Sequence, residues 1–132
     1  MKRLLLIFFV VTASFLTSCK NDLEGEIKLV TPEEMQDLME LEDVQLVDVR
    51  TEQERVDGFI KNSQNIDFNS PTFEKDIEKL DKTKPVILYC QSGGRSKKCA
   101  EKLKDAGFVM IYDLKGGITQ WRFKDYFIEM PN

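Results

Sequence analysis

The stretch Pro85–Cys99, PVILYCQSGGRSKKC, leaves a chain few ways to fold. It opens with Val86-Ile87-Leu88-Tyr89, an unbroken apolar run of β-branched and aromatic residues. A short run without polar alternation predicts a strand covered on both faces. The run stops at Cys90, and Gln91-Ser92-Gly93-Gly94 favours neither strand nor helix. Its glycines permit the positive φ values of a tight loop. From Arg95 and Ser96 onward the pattern is that of an amphipathic helix, with Cys99, Ala100, Leu103 and Ala106 on one face and Gly107 as its stop. A buried strand, a glycine loop and a helix straight behind it make half of a βαβ unit, which points to a parallel sheet.

The flanking sequence repeats that alternation. Glu26–Val30 predicts an edge strand, and Thr31-Pro32-Glu33-Glu34 has capping-box spacing with proline at the first helical position. Met35, Leu38 and Met39 should face the core. Gln45–Val49 predicts a second strand, and Thr51 with Glu54 repeats the capping box ahead of a short helix ending near Gly58. Gln64–Phe68 predicts a third strand, after which Asn69-Ser70-Pro71 should cap a helix carrying Phe73, Ile77 and Leu80. Val109–Tyr112 predicts a fifth strand. Gly116-Gly117 then allows a sharp turn into a helix over Ile118–Asp125, with Trp121 as a core anchor, while Tyr126–Asn132 suggests no element. The expected architecture is α/β, a central parallel sheet of about five strands with helices on both faces. Ligands of such sheets bind beyond the carboxyl ends of the strands. Cys90, Asp48 and the Gly116-Gly117 turn all fall there.

The chemistry centres on Cys90. Successive amides of a tight loop can point inward as an anion-binding nest. A helix N-terminus adds about half a positive charge, and the Arg95 guanidinium could close the ring. All three favour thiolate, and by this mechanism a cysteine pKa falls from about 8.5 to between roughly 3.5 and 7.5. The plainer reading of Cys90 is a small buried hydrophobe before a turn. Asp48 and Arg50 read as a structural pair, since a carboxylate at a buried strand end must be bonded or paired. Histidine is absent from the 132 residues, which removes Cys-His dyads, Ser-His-Asp triads and histidine metal sites. Three cysteines at irregular spacing form neither a zinc framework nor a disulfide scaffold. A formal charge of −4 offers no basic surface for nucleic acid.

Cys90-Gln91-Ser92-Gly93-Gly94-Arg95-Ser96 resembles the active-site loop of rhodanese-domain sulfurtransferases. Leu46-Val47-Asp48-Val49-Arg50 is similar to that family's upstream strand signature, Gly58-Phe59-Ile60 with Asn65-Ile66 to its next segment, and Leu114-Lys115-Gly116-Gly117 with Trp121 to its C-terminal signature. The resemblance runs in order from about Ile27 to Phe127. Phe59 departs from it, standing where the family usually has histidine. The fold implied is rhodanese-like. The activity implied is double displacement: Cys90 takes the outer sulfur of an anionic donor such as thiosulfate, then passes it to a thiol or cyanide acceptor. Gln91, Ser92, Gly93, Gly94 and Ser96 would line the persulfide, and Arg95 would hold the loop or steer the donor. Asp48, Arg50, Gly116, Gly117 and Trp121 would be structural support. No cofactor or metal is implied. Cysteine-dependent phosphatases have a similar loop, but one residue longer, and a non-catalytic thiol- or sulfide-binding module is the other alternative. Cys99 reads as core; as a resolving thiol it lies about a helical turn beyond Arg95, too far for a direct bridge.

The N-terminus carries a separate message. Lys2 and Arg3 precede an apolar run from Leu4 to Leu16, too short to span a bilayer but right for a secretory signal. Leu16-Thr17-Ser18-Cys19 resembles a bacterial lipobox, which implies lipidation at Cys19. The expected organisation is a signal peptide over 1–18, a lipidated tether over 19–26 and one domain over 27–132. The expected location is the cell envelope outside the cytoplasm, held to a membrane through acyl chains.

Overall fold

A computed structural model describes residues 24–41 and 43–132. The expected signal peptide, the lipidation site Cys19 and most of the tether lie outside the described residues. Ten elements follow one another: β1 (Glu26–Val30), α1 (Pro32–Met39), β2 (Gln45–Asp48), α2 (Glu52–Arg55), β3 (Gln64–Asn65), α3 (Phe73–Ile77), β4 (Val86–Tyr89), α4 (Gly94–Asp105), β5 (Met110–Leu114) and α5 (Gly117–Phe123). The five strands form one parallel sheet in the order β1-β5-β4-β2-β3.

Both faces of the sheet are covered, and the residue pattern explains how. On one face Phe73, Ile77 and Leu80 from α3 and its exit pack with Cys99, Ala100 and Leu103 of α4 onto Val47, Val86, Leu88 and Ile111. On the other, Met35 of α1 and Ile118 and Trp121 of α5 pack onto Leu46, Ile87, Tyr89 and Leu114. Every residue of β4 is buried, as its unbroken apolar run requires. Capping boxes form at Thr31 with Glu34 and at Thr51 with Glu54, each with both reciprocal hydrogen bonds.

Four local expectations need correction. The third strand shrinks to Gln64–Asn65 because its partner β2 ends at Asp48. The following helix is not capped by Asn69-Ser70-Pro71: Ser70 Oγ accepts from Thr72 N instead, and α3 starts at Phe73 after Thr72, whose hydroxyl bonds Asp76 and caps no backbone N–H. Gly25 and Glu26, expected as tether, belong to the fold. Glu26 N donates to Val109 O, and a Cβ on Gly25 would collide with the Phe108 carbonyl, so these residues are docked against the domain. The tail is not free either, because Phe59 and Glu129 exchange backbone hydrogen bonds and Trp121 Nε1 donates to Phe127 O.

The polar centre of this core is Asp48, fully buried. It accepts from Arg50 Nε at 3.0 Å, Arg50 Nη2 at 2.8 Å, Arg55 Nη1 at 3.0 Å and the Tyr89 hydroxyl at 2.8 Å. Burial opposes the Arg50 charge, but its bonds to Asp48 more than offset this and raise its pKa. Burial, and next the Asp48 charge, push the Tyr89 phenol up. Removing one partner of a buried pair leaves the other charge uncompensated. Asp48→Ala should therefore cost about 3–5 kcal/mol, read as a lower urea midpoint, whereas Lys79→Ala, which breaks an exposed ion pair, should cost under about 1 kcal/mol.

Candidate active site

The carboxyl end of β4 delivers Cys90 into its loop, and the loop is built by its neighbours as much as by its own sequence. Gly93 adopts φ +110° as the N-cap of α4. Gly94 needs no such freedom: it is the first residue of the helix, and its φ lies outside the left-handed region. On the far side, Ile118 N and Thr119 N at the start of α5 donate to the carbonyls of Cys90 and Gln91 at 2.9 and 3.1 Å. The Thr119 hydroxyl adds a second bond to Gln91 O at 2.9 Å. These bonds draw the first two loop carbonyls toward α5. The approach demands glycine at 117, where φ is +60° and a Cβ would stand 2.6 Å from Cys90 O.

Cys90 sits on the floor of this loop, 1% exposed. Gly93 N donates to its sulfur at 3.1 Å, and the sulfur lies 3.5 Å from the Ser96 hydroxyl. Gly93 is the one loop amide bonded to the sulfur among the described residues. Ser96 is itself fully buried, and its hydroxyl donates to Gly93 O at 3.3 Å. The N-terminus of α4 follows directly, so its dipole favours negative charge near the loop.

Arg95 does not close the ring as expected. Its guanidinium makes a two-pronged ion pair with Glu54, both bonds at 2.6 Å. That bond first of all, with the Thr51 amide and hydroxyl assisting against burial, holds the Glu54 carboxyl at about 2 instead of 4.5. Glu54 is the site residue that sequence reasoning missed. Its capping-box spacing marks it as a helix residue, and nothing local links it to a residue 41 positions away. Arg50 reaches the loop as well, with Nη1 3.4 Å from Gln91 Oε1. Gln91 and Ser92 are exposed at the loop tip.

The remaining expected residues are placed elsewhere. Trp121 is buried on the α1/α5 face, its ring tilted 42° against Tyr126 with centroids 4.7 Å apart. Phe59 lies under the Arg55 guanidinium at 4.0 Å, so the usual histidine position serves here to pack an arginine. Cys99 is buried on the inner face of α4, and burial, more than the nearby Asp113 charge, pushes its thiol up to about 12. Among the described residues no three or more Cys, Asp or Glu side chains converge as metal ligands would. A groove of about 360 Å³ lined by Met39, Ile60, Trp121 and Phe127 contains none of the loop residues.

Residues 31–124 match the family described as Rhodanese-like domain. The chain is 40% identical to an uncharacterized protein of Bacillus subtilis over 58% of its own length and 60% of that protein's. It is 34% identical to a tRNA uridine(34) hydroxylase of Pelagibacter ubique over 85% of its own length but only 36% of the hydroxylase. The chain thus spans 60% and 36% of these two relatives' lengths, less than two thirds of either. A thiosulfate sulfurtransferase of Coxiella burnetii is matched more fully, 30% identical over 72% of this chain and 87% of that one. Among solved structures, a rhodanese-like domain protein from Staphylococcus aureus superimposes with a TM-score of 0.68 at 30% identity, covering 80% of this chain and 99% of that one.

Two outcomes follow from the loop's supports. Because the Glu54 pKa is depressed, the stability from its pair with Arg95 is present above the ordinary carboxylate range and is lost as pH falls from about 4.5 to about 2. Acid titration of wild type against Glu54→Gln should show about 1 kcal/mol difference at neutral pH, a value reduced by partial exposure, closing over that window. Gly117→Ala should cost about 1–3 kcal/mol through backbone strain, and it should weaken Cys90 chemistry beyond the loss of folded protein.

Proposed function

The chain belongs to the rhodanese-like domain family, and on that basis we propose that it is a sulfurtransferase moving a sulfane sulfur through a persulfide on Cys90. The observation that carries this reading is the tight loop itself, in which a backbone N–H and a buried hydroxyl meet the Cys90 sulfur at 3.1 and 3.5 Å. In the first half-reaction the Cys90 thiolate attacks the outer sulfur of a donor such as thiosulfate. A Cys90–sulfur bond forms, the donor's sulfur–sulfur bond breaks, and sulfite leaves with the electron pair. In the second, a thiol or cyanide attacks the outer sulfur of the persulfide, and Cys90 departs as thiolate. Dividing the transfer in this way gives ping-pong kinetics. Preorganised donors at the sulfur supply stabilisation that water would otherwise have to reorganise to give.

Arg95 holds the shape of the loop through Glu54, and its guanidinium is close enough to feel the charge on Cys90. The reading extends to the N-terminus: a lipid on Cys19 would keep the domain at a membrane surface in the cell envelope, with the donor and acceptor reaching it from outside the cytoplasm. The near-complete burial of Cys90 favours one second reading, a module that binds a partner and does not turn over.

Intact-mass measurement separates the two. After thiosulfate treatment the wild-type protein should gain one sulfur atom, located on Cys90 by peptide mapping, and lose it on adding cyanide as thiocyanate forms. Cys90→Ser should abolish both steps, whereas Cys99→Ala should keep both. A wild-type protein that never gains the atom would sink the sulfurtransferase reading and leave the binding module.

A further inference from the structure

Glu54 has partners that hold it in place apart from Arg95. Its Oε2 accepts from the Thr51 amide at 2.9 Å and from the Thr51 hydroxyl at 3.1 Å. Its backbone carbonyl lies 3.4 Å from Arg50 Nη1, and that same nitrogen lies 3.4 Å from Gln91 Oε1. One atom of the buried Arg50 therefore seats α2 beside the first residue after Cys90.

Arg95 is differently placed. Among the described residues, both hydrogen bonds of its side chain go to Glu54. A guanidinium has five N–H donors, so others are left over, and 26% of the side chain is exposed. There is room above the loop: a Cβ on Gly94 would meet nothing within 4 Å, and one on Gly93 would meet only Gly116 N, at 3.9 Å. The other guanidiniums of this region, Arg50 and Arg55, are turned toward Asp48. A donor entering here meets an Arg95 charge that a fixed carboxylate already balances. It also meets that carboxylate, which is 32% exposed.

We propose that Glu54 is a specificity-determining residue that sets the charge of the sulfur donor, an inference that rests on Cys90 being the sulfur-accepting nucleophile. Its carboxylate disfavours a dianion such as thiosulfate relative to a donor with a single negative charge, such as an organic thiosulfonate. The step is the same for both. The Cys90 thiolate bonds to the outer sulfur and the donor's sulfur–sulfur bond breaks. Sulfite leaves with the electron pair from thiosulfate, and a sulfinate leaves with it from a thiosulfonate. The two donors differ by one unit of charge, so a fixed negative charge acts about twice as strongly on the first. A carboxylate that only shaped the loop would not tell them apart.

Glu54→Gln removes the charge and keeps the capping box, which glutamine also closes. At low ionic strength, where exposed charges are least screened, kcat/KM should rise about threefold more for thiosulfate than for methanethiosulfonate, because the logarithm of the gain scales with donor charge. A loss of loop geometry common to both donors cancels in this ratio. Glu54→Asp, which keeps the charge, should hold the wild-type ratio. A ratio unmoved in Glu54→Gln would overturn the proposal. Should that variant not fold, Arg95→Gln is compared with the double variant Arg95→Gln, Glu54→Gln, in which no charge of the pair is left uncompensated. Equal ratios in those two would likewise overturn it. Binding without turnover is read from the backbone amide shifts of Gly93 and Gly94 as sulfate or methanesulfonate is added, and Glu54→Gln should tighten sulfate about threefold more than methanesulfonate. That result in a protein that takes no sulfur from either donor supports the role of Glu54 and removes the enzymatic reading. Transfer from both donors with an unchanged ratio does the reverse.

Discussion

The Asp48 carboxylate is the point from which the loop's geometry is set. It is fully buried and receives two guanidinium groups and a phenol, so the large cost of desolvating it is offset only while all of them are in place. Those partners come from the residues after β2, from α2 and from β4, and Arg50 goes on to hold the Gly58 carbonyl at 2.8 Å. Tyr89, in turn, accepts from Ile60 N at 3.0 Å and lies 2.9 Å from the Ser63 hydroxyl. One network therefore ties the ends of two strands to the segment that crosses between them. Tyr89 is the residue before Cys90, so the loop leaves from an anchored position.

The loop itself and its exit into α4 are held by different physics. Backbone N–H groups of α5 occupy the first two loop carbonyls, and the Glu54–Arg95 pair ties the first turn of α4 to α2. A buried ion network, a glycine-dependent backbone approach and a half-exposed ion pair thus act on one short segment. They respond to different changes: the first to any loss of charge balance, the second to a side chain at 117, the third to acid. A loop supported in three ways can keep a geometry that its own sequence, with glycine at 93 and 94, would not keep in isolation.

What the sequence carries plainly is local. The apolar run of β4, the capping-box spacings at Thr31 and Thr51 and the inner faces of α3 and α4 are all set by neighbours within a few residues, and all appear where the pattern places them. What it carries poorly is pairing at a distance. The length of β3 depends on where β2 stops, the partner of Arg95 depends on how α2 lies against α4, and the role of Gly117 depends on two carbonyls some 26 positions earlier. Arg95 is the clearest case. Its position in the loop marks it for the site, but only the fold shows its charge directed to a carboxylate instead of to the sulfur. Asp113 is the reverse case, a polar residue in a strand pattern whose burial no periodicity announces.

These placements change how an anion at Cys90 must be stabilised. With Arg95 paired to Glu54, the loop's own guanidinium is already shared, and what meets the sulfur directly is the Gly93 N–H and the Ser96 hydroxyl. Both contacts are short-ranged and directional, and both reach the inner sulfur. In the proposed transfer a persulfide would carry its charge about 2 Å farther out, beyond these two groups. Such a sulfur would need donors nearer the loop tip, where Gln91 and Ser92 are exposed. Under the proposed transfer, an anionic donor arriving there would compete with Glu54 for the Arg95 guanidinium.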